Sequence, residues 1–387
     1  MFSKIEKYFK GDRVIWAIII LLSIYSMLTV YSATGSLAYK SAGGNTFYYL
    51  IRHSVFLFIG FGVTFITHLI PYKYFSGFAT LLLGISVPLL LLTMIMGTSL
   101  NQAARWLTVP GIGLTFQTSD LAKLALIMYV ARYLSINQDN IKDFKTGFLP
   151  IVIPIVIVCA LIIKANFSTA ALLFVTSVIL LFIGRIAMKH LFALAGVGVV
   201  FVAIFVLIAW NSPNKGRVGT WKNRIENFVQ GDSEGNYQIE QSKIAIVTGG
   251  LIGKGPGNST QRNFLPHAYS DFIYSIIIEE YGLILGAIPI LFLYLFLLFR
   301  AGIIVRKSER TFPAFLAIGL SLSLVFQAMI NMGVAVSLFP VTGQTLPLVS
   351  MGGTSILFTS VAFGIIISVS RATENEDFNQ FLLNEPV

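Results

Sequence analysis

VIWAIIILLSIYSMLTVYSAT, residues 14–34, holds no charged side chain and has the length of about 20 mostly apolar residues that a helix needs to cross a bilayer. Lys4, Lys7, Lys10 and Arg13 precede it and no small-residue cleavage site follows. It therefore reads as a retained membrane helix and not as a removed leader. Similar runs lie near 49–70, 77–98, 117–136, 147–164, 167–184, 190–210, 272–299, 312–336 and 349–370, which makes about ten spans. The composition agrees: 56% of the 387 residues are hydrophobic and 11% are charged, with a mean hydropathy of +0.80. The expected fold class is an all-α polytopic membrane protein, with residues 1–387 forming one membrane domain.

An even number of spans puts both termini on one side. Besides the N-terminal cluster, Lys142, Lys145, Arg185, Lys189, Arg300, Arg306, Lys307, Arg310 and Arg371 fall on that side, against Lys40, Arg52, Arg105 and Lys164 in the short loops opposite. Cytoplasmic loops collect Lys and Arg, so both termini are expected in the cytoplasm, with a large extracellular loop, 211–271, between the seventh and eighth spans. Residues 371–387 form a short acidic cytoplasmic tail. The formal charge of +10 then suits anionic membrane lipid better than nucleic acid. Cys159 is the sole cysteine, which excludes an intrachain disulfide.

The outer loop has its own pattern. NYQIEQSKIAIVTGG (236–250) predicts an amphipathic helix that ends at Gly249 and Gly250, because glycine adopts the left-handed cap cheaply. The Gly-rich LIGKGPGNSTQ (251–261) follows. GGLIGK lacks the spacing of a phosphate loop and Asn258-Ser259-Thr260 is only a short sequon match, so neither carries weight. Lys215, Arg217, Lys222, Arg224, Lys243, Lys254 and Arg262 outnumber Glu226, Asp232, Glu234 and Glu240 before Asp271. Such a cationic cover suits an anionic lipid head group, with a pyrophosphate the obvious candidate. Asp271 lies where this polar segment gives way to an apolar run. It could help cap the next helix, with Ser270, or act as a general base at the water–lipid boundary.

Three stretches in order carry a family resemblance: RWLTVPGIGLTFQTSDLAKL (105–124), YQIEQSKIAIVTGGLIGKGPGNSTQRNFLPHAYSDFIYSIIIEEYG (237–282) and NMGVAVSLFPVTGQTLPLVSMGGTS (331–355). They resemble the SEDS family, the polytopic glycosyltransferases FtsW and RodA that polymerise lipid II into peptidoglycan. The resemblance implies ten transmembrane helices. It also implies an inverting transfer of a lipid-linked glycan to the 4-hydroxyl of another lipid II, with undecaprenyl pyrophosphate leaving. Carried over by position, Asp271 is the essential acid. Arg105, Trp106, Gln117, Lys123, Gln241, Ser242, Lys254 and Gln261 match polar or aromatic positions of the family's motifs as substrate contacts. Trp106 equally suits an interfacial anchor. Lys123, costly in a membrane unless paired, could instead form a structural ion pair with Asp120, Glu279 or Glu280.

The chain also departs from the family pattern. His267 and Tyr269 replace the glutamate and histidine of the family's P-E-x-H-x-D run, so Asp271 has to work without a neighbouring carboxylate. Thr118 and Asp120 replace a proline and a glutamate, and Met351 an aromatic. NMGVAV, PVTGQTLP and IIISVSR are closer to FtsW than to RodA, which points to septal synthesis in the bacterial cytoplasmic membrane over an elongation role. The family implies a class B penicillin-binding protein as partner, together with other division proteins. No metal-ligand cluster is read in the sequence, while Mg2+ or Mn2+ remains compatible with pyrophosphate chemistry. A lipid II flippase and a non-catalytic scaffold are the rival readings. An outer-surface acid and the absence of an inverted repeat count against the flippase.

Overall fold

Helices that are apolar on every face are stable only where lipid or protein surrounds them, and such helices dominate the computed structural model. It describes residues 9–41, 43–100, 103–108, 115–211, 219, 226 and 237–383. The helices are α1 (Arg13–Ala33), α2 (Gly35–Ser41), α3 (Thr46–Leu69), α4 (Tyr72–Met96), α5 (Thr118–Ile136), α6 (Leu149–Ile163), α7 (Phe167–Ile183), α8 (Met188–Asn211), α9 (Tyr237–Gly249), α10 (Ile273–Gly282), α11 (Ile288–Lys307), α12 (Thr311–Ala335) and α13 (Thr354–Leu383). A single π-helical turn leads into α6 (Phe144–Phe148) and another into α11 (Leu283–Ala287).

Among the described residues, seven helical segments are long and apolar enough to cross a membrane. The shorter apolar α7 and α8 and the more polar α5 pack with them. This is the polytopic architecture expected from the sequence. Polar side chains fix the ends: Asp12 caps α1 by accepting from the amides of Val14 (2.9 Å) and Ile15 (3.3 Å), and Asn45 and Asn166 cap α3 and α7. Three spans meet at Asp12. Its carboxylate accepts from Arg300 Nε of α11 at 2.6 Å, and its amide donates to Ser370 Oγ of α13 at 2.9 Å.

Helices α12 and α13 form the centre of the bundle, with almost every residue of α12 buried. Close backbone approach holds α13 against α3, because a Cβ on Gly364 would lie 2.6 Å from Thr67 Cβ and one on Gly60 2.6 Å from Ser360 Oγ. Small residues at helix contacts are the usual way for membrane helices to gain packing without a hydrophobic driving force.

Two features were not expected. The segment between α4 and α5 contains a three-stranded antiparallel sheet, β1 (Thr98–Leu100), β2 (Ala103–Thr108) and β3 (Thr115–Gln117), in the order β1-β2-β3. The fold is thus helical with a small outer sheet. The second feature concerns the apolar run that begins at 272. As one helix, Ile273–Lys307 would be about 52 Å long, far more than a bilayer core of about 30 Å. The chain instead reverses at Gly282, which takes a φ of +72°. Tyr274 Oη donates to the carbonyl of Ala287 at 3.1 Å, two residues that a straight helix would hold about 20 Å apart. So α10 is a separate short helix folded back on the start of α11, and the eighth span begins near residue 283.

Candidate functional site

The site is built around the turn 265–272, which packs its apolar side chains downward. Leu265, Ala268, Phe272 and Ile276 bury against Ala33 at the outer end of α1 and Val334 at the outer end of α12. His267 starts the turn with a φ of +57°, and its carbonyl accepts from the amides of Ser270 (3.0 Å) and Asp271 (3.1 Å). Asp271 is half-buried at the end of this turn. The cap position of α10 falls to Phe272, which makes no side-chain cap bond. Ser270 Oγ donates to Asp271 Oδ1 at 3.0 Å.

The 344–351 segment holds the turn from the other side. Asn331 of α12 donates through its amide to the carbonyls of Asp271 (2.8 Å) and Gln344 (2.7 Å). Ser350 Oγ donates to the carbonyl of Ser270 at 2.6 Å, and the amide of Met351 to the carbonyl of Tyr269 at 2.9 Å. The backbone on either side of the half-buried acid is therefore fixed. Burial, followed by the Asp271 charge and Tyr49, pushes the Tyr269 hydroxyl above its ordinary 10.0. It remains a neutral hydrogen-bond donor at physiological pH.

One helical turn below Asn331, Gln327 continues the polar face of α12. Its side-chain amide donates to the carbonyl of Thr345 at 2.9 Å and its oxygen accepts from Lys123 Nζ at 3.1 Å. Lys123 also pairs with Asp120 at 2.9 Å, and Gln117 Nε2 donates to Ser119 Oγ at 2.8 Å. Asp120, Lys123, Gln327, Ser323, Ser355 and Thr359 line a cavity of about 40 Å³ between α5, α12 and α13. This volume holds a water or two. Of the three partners weighed for Lys123, Asp120 is the one it contacts.

Glu279 and Glu280 serve the outer loop instead. Glu279 accepts from Lys254 Nζ (2.6 Å), Thr260 Oγ1 (2.8 Å), the amides of Thr260 (3.1 Å) and Gln261 (3.2 Å), and the hydroxyl of Ser259. Glu280 accepts from the Ser32 hydroxyl and from the amide of Ser259 at 3.4 Å, and Arg262 Nη1 donates to Ser32 Oγ at 2.8 Å. The Gly-rich loop thus wraps the far end of α10, about 12 Å from Asp271 along the helix.

The candidate residues separate into three groups. Asp271 lies on the 265–272 turn, apart from the other candidates. Lys123 borders the polar cavity, Gln117 bonds to Ser119 at the start of the same helix, and Gln327 and Asn331 of α12 lie between the cavity and Asp271. Lys254 and Gln261 belong to the Glu279 network, where the Lys254 ammonium is held by a buried carboxylate. Ser242 is fully buried and bridges α9 to Ser275 Oγ of α10 (2.5 Å) and to the carbonyl of Ala335 (2.7 Å). Gln241 is half-buried on the predicted helix, which exists as α9. Trp106 lies on β2 opposite Thr98 and Gln117. Arg105 precedes it on β2, with its side chain outside the described set. Lys215, Arg217, Lys222, Arg224, Asp232 and Glu234 also lie outside the described residues.

Asn331, Gln327, Ser350 and Glu279 had not been singled out as site residues. The signal for the first two was available: two amides four residues apart on an otherwise apolar helix share a face.

The fold and site define a polytopic membrane protein with an acid fixed at its outer surface. A family model described as cell cycle protein, covering FtsW, RodA and SpoVE, matches residues 12–375, and the chain belongs to that family. It is 33% identical over 373 residues to the probable peptidoglycan glycosyltransferase FtsW of Geobacter sulfurreducens, covering 95% of this chain and 96% of the relative. The probable peptidoglycan glycosyltransferase FtsW of Escherichia coli O157:H7 is 34% identical over 344 residues, 87% of this chain and 80% of the relative. Two solved structures share the fold at 24% identity. A chain of a peptidoglycan synthase complex that coordinates polymerization and crosslinking has a TM-score of 0.73, covering 94% of this chain and 98% of its own. The rod shape determining protein RodA of Thermus thermophilus has a TM-score of 0.66, covering 93% and 97%.

Proposed function

We propose that the chain is a peptidoglycan glycosyltransferase of the FtsW type. It joins lipid II units into β-1,4-linked glycan strands at the outer face of the bacterial cytoplasmic membrane. The observation behind the reading is the half-buried Asp271, whose flanking carbonyls are fixed by Asn331 and Ser350, in a chain that matches curated FtsW relatives over nearly its whole length.

Asp271 acts as general base. It removes the proton of the acceptor 4-hydroxyl as that oxygen attacks the anomeric carbon of the donor. The new glycosidic bond forms as the bond to undecaprenyl pyrophosphate breaks, and the configuration inverts. One positioned base suffices for an inverting step, with cationic groups holding the departing charge. Arg105 on β2 is the proposed pyrophosphate contact, since a guanidinium can grip two phosphate oxygens at once. Among the described residues no three His, Cys, Asp or Glu side chains converge. Mg2+ or Mn2+ would therefore be held largely by the pyrophosphate itself, as Mg2+ commonly is.

A class B penicillin-binding protein is the proposed partner and the division septum the proposed location. The reading draws on the FtsW relatives and on the peptidoglycan synthase complex with the same fold. The test is to purify the chain with its cognate transpeptidase, add fluorescent lipid II and resolve the products on a gel. A ladder of long glycan strands is the expected result. A folded complex that makes no polymer while the transpeptidase is active would point to the flippase or the scaffold.

A further inference from the structure

The turn that braces Asp271 is itself strained and held from within the membrane. Leu348 takes a φ of +62°, a left-handed conformation that is unfavourable for a residue with a side chain. Such a conformation persists only where its surroundings over-determine it, and it clusters at functional sites. Here polar groups from two helices pin the residues on either side. Tyr294 Oη of α11 donates to the carbonyl of Pro347 at 2.6 Å, and Ser26 Oγ of α1 donates to the carbonyl of Val349 at 2.8 Å. Ser350, next in the chain, accepts from the amide of Leu346 at 2.8 Å and donates to the carbonyl of Ser270, beside Asp271.

Behind Ser26 stands His53 of α3, 1% exposed, with Nε2 at 2.6 Å from Ser26 Oγ. A serine hydroxyl has a single proton. Since that proton goes to the Val349 carbonyl, His53 Nε2 must carry the hydrogen of the second bond and donate it to Ser26 Oγ. A charged imidazole buried without an ion-pair partner would be costly, so the ring is neutral, with Nδ1 as a bare lone pair. Nδ1 is buried and has no hydrogen-bond partner among the described residues. A histidine inside a membrane bundle with half its polar capacity unused is costly for a purely structural contact, and such residues are functional candidates.

We infer that His53 is a positioning residue for Asp271. Its Nε2–H orients the Ser26 hydroxyl onto Val349, which holds the strained 347–350 turn where Ser350 can fix the carbonyl beside the acid. The inference rests on the glycosyltransferase reading for its effect on rate and on the hydrogen-bond series for its effect on structure. Neither His53 nor Ser26 touches the reacting atoms, so their loss should lower the rate of the chemical step and spare substrate binding.

The experiment compares the parent, H53F, H53Q and S26A as purified complexes with the partner transpeptidase. H53F keeps an aromatic ring and removes the donor, while H53Q restores an N–H. H53F and S26A should each lower kcat about tenfold or more, the scale expected for a misplaced catalytic group. KM for lipid II should be unchanged, H53Q should recover most of the rate, and the double variant H53F/S26A should be no worse than either alone. A parental kcat in H53F, or H53Q no better than H53F, overturns the inference. Hydrogen exchange at the Met351 amide tests it separately from activity. Exchange should speed up in H53F and S26A and return toward the parent in H53Q, and unchanged exchange in H53F would overturn the inference even if the parent made no polymer. A parent without polymerase activity would by itself count against the function and not against the positioning role.

Discussion

Asn331 donates to the backbone carbonyl of Asp271 at 2.8 Å, so a fully buried amide of a central helix sets where the outer-surface acid stands. The same amide donates to Gln344 at 2.7 Å, which ties the acid's turn to the segment that re-enters the bundle before α13. The position of Asp271 is therefore fixed through its main-chain carbonyl.

Replacing Asn331 with Asp keeps the shape and removes both donors. N331D should lower polymerisation per folded enzyme by about tenfold or more, because a displaced catalytic group loses rate steeply. It should also cost about 1–3 kcal/mol for buried carbonyls left unpaired. Initial rates with thermal melts check this, and a parental rate in N331D would separate the clamp from catalysis.

Lys254 matches the family's substrate-contact positions, yet its ammonium lies 2.6 Å from Glu279, which is fully buried. Breaking a buried pair by removing one partner typically costs about 3–5 kcal/mol. That figure is an upper bound here, since Lys254 is partly exposed and several amides and hydroxyls also hold the carboxylate. K254M should lower the melting temperature and leave KM for lipid II near the parental value. A raised KM at an unchanged melting temperature would instead make Lys254 a substrate contact.

Two adjacent glycines should respond differently. A Cβ on Gly249 would lie 2.1 Å from the carbonyl oxygen of Ile278, whereas Gly250 takes a φ of +55° with nothing within 4 Å. G250A meets only the left-handed backbone cost of about 1–2 kcal/mol. G249A must push α9 off α10 and should destabilise the protein considerably more. Melting curves of both variants give the comparison, and equal losses would contradict the packing of α9 on α10.

Burial and the neighbouring Asp271 charge raise the Tyr269 hydroxyl above 10.0. Both effects disfavour the phenolate, so Tyr269 ionises later than an ordinary tyrosine and keeps its proton through neutral pH. Y269F should leave the shape of the pH–rate profile unchanged between about pH 6 and about pH 9. A shifted alkaline limb in Y269F would mean that the hydroxyl titrates within the working range.

The spans were legible because about twenty apolar residues in a row identify a membrane helix with little help from context. α9 was legible for a similar reason, as alternating Ile and polar residues ended at a Gly-Gly pair. Asp271 was found through motif resemblance, and its setting was only partly foreseen. Hydropathy cannot see a reversal within an apolar run, so the fold-back at Gly282 was hidden in what read as a single span. Glu279 and Glu280, two acids just before that glycine, were the available signal. Lys123 could have paired with any of three acids in the sequence, and only the packing of α5 on α12 selects Asp120. The small sheet around Trp106 depends on pairing between short strands, which local sequence specifies weakly.

The most direct test of the account replaces Asp271 with Asn, which preserves the shape and removes the base. Glycan synthesis from labelled lipid II should fall by about 10²–10⁴, while the melting temperature and binding of the partner transpeptidase stay at the parental level. Comparable rates from D271N and the parent, both folded, would contradict the assignment of Asp271 as the catalytic base.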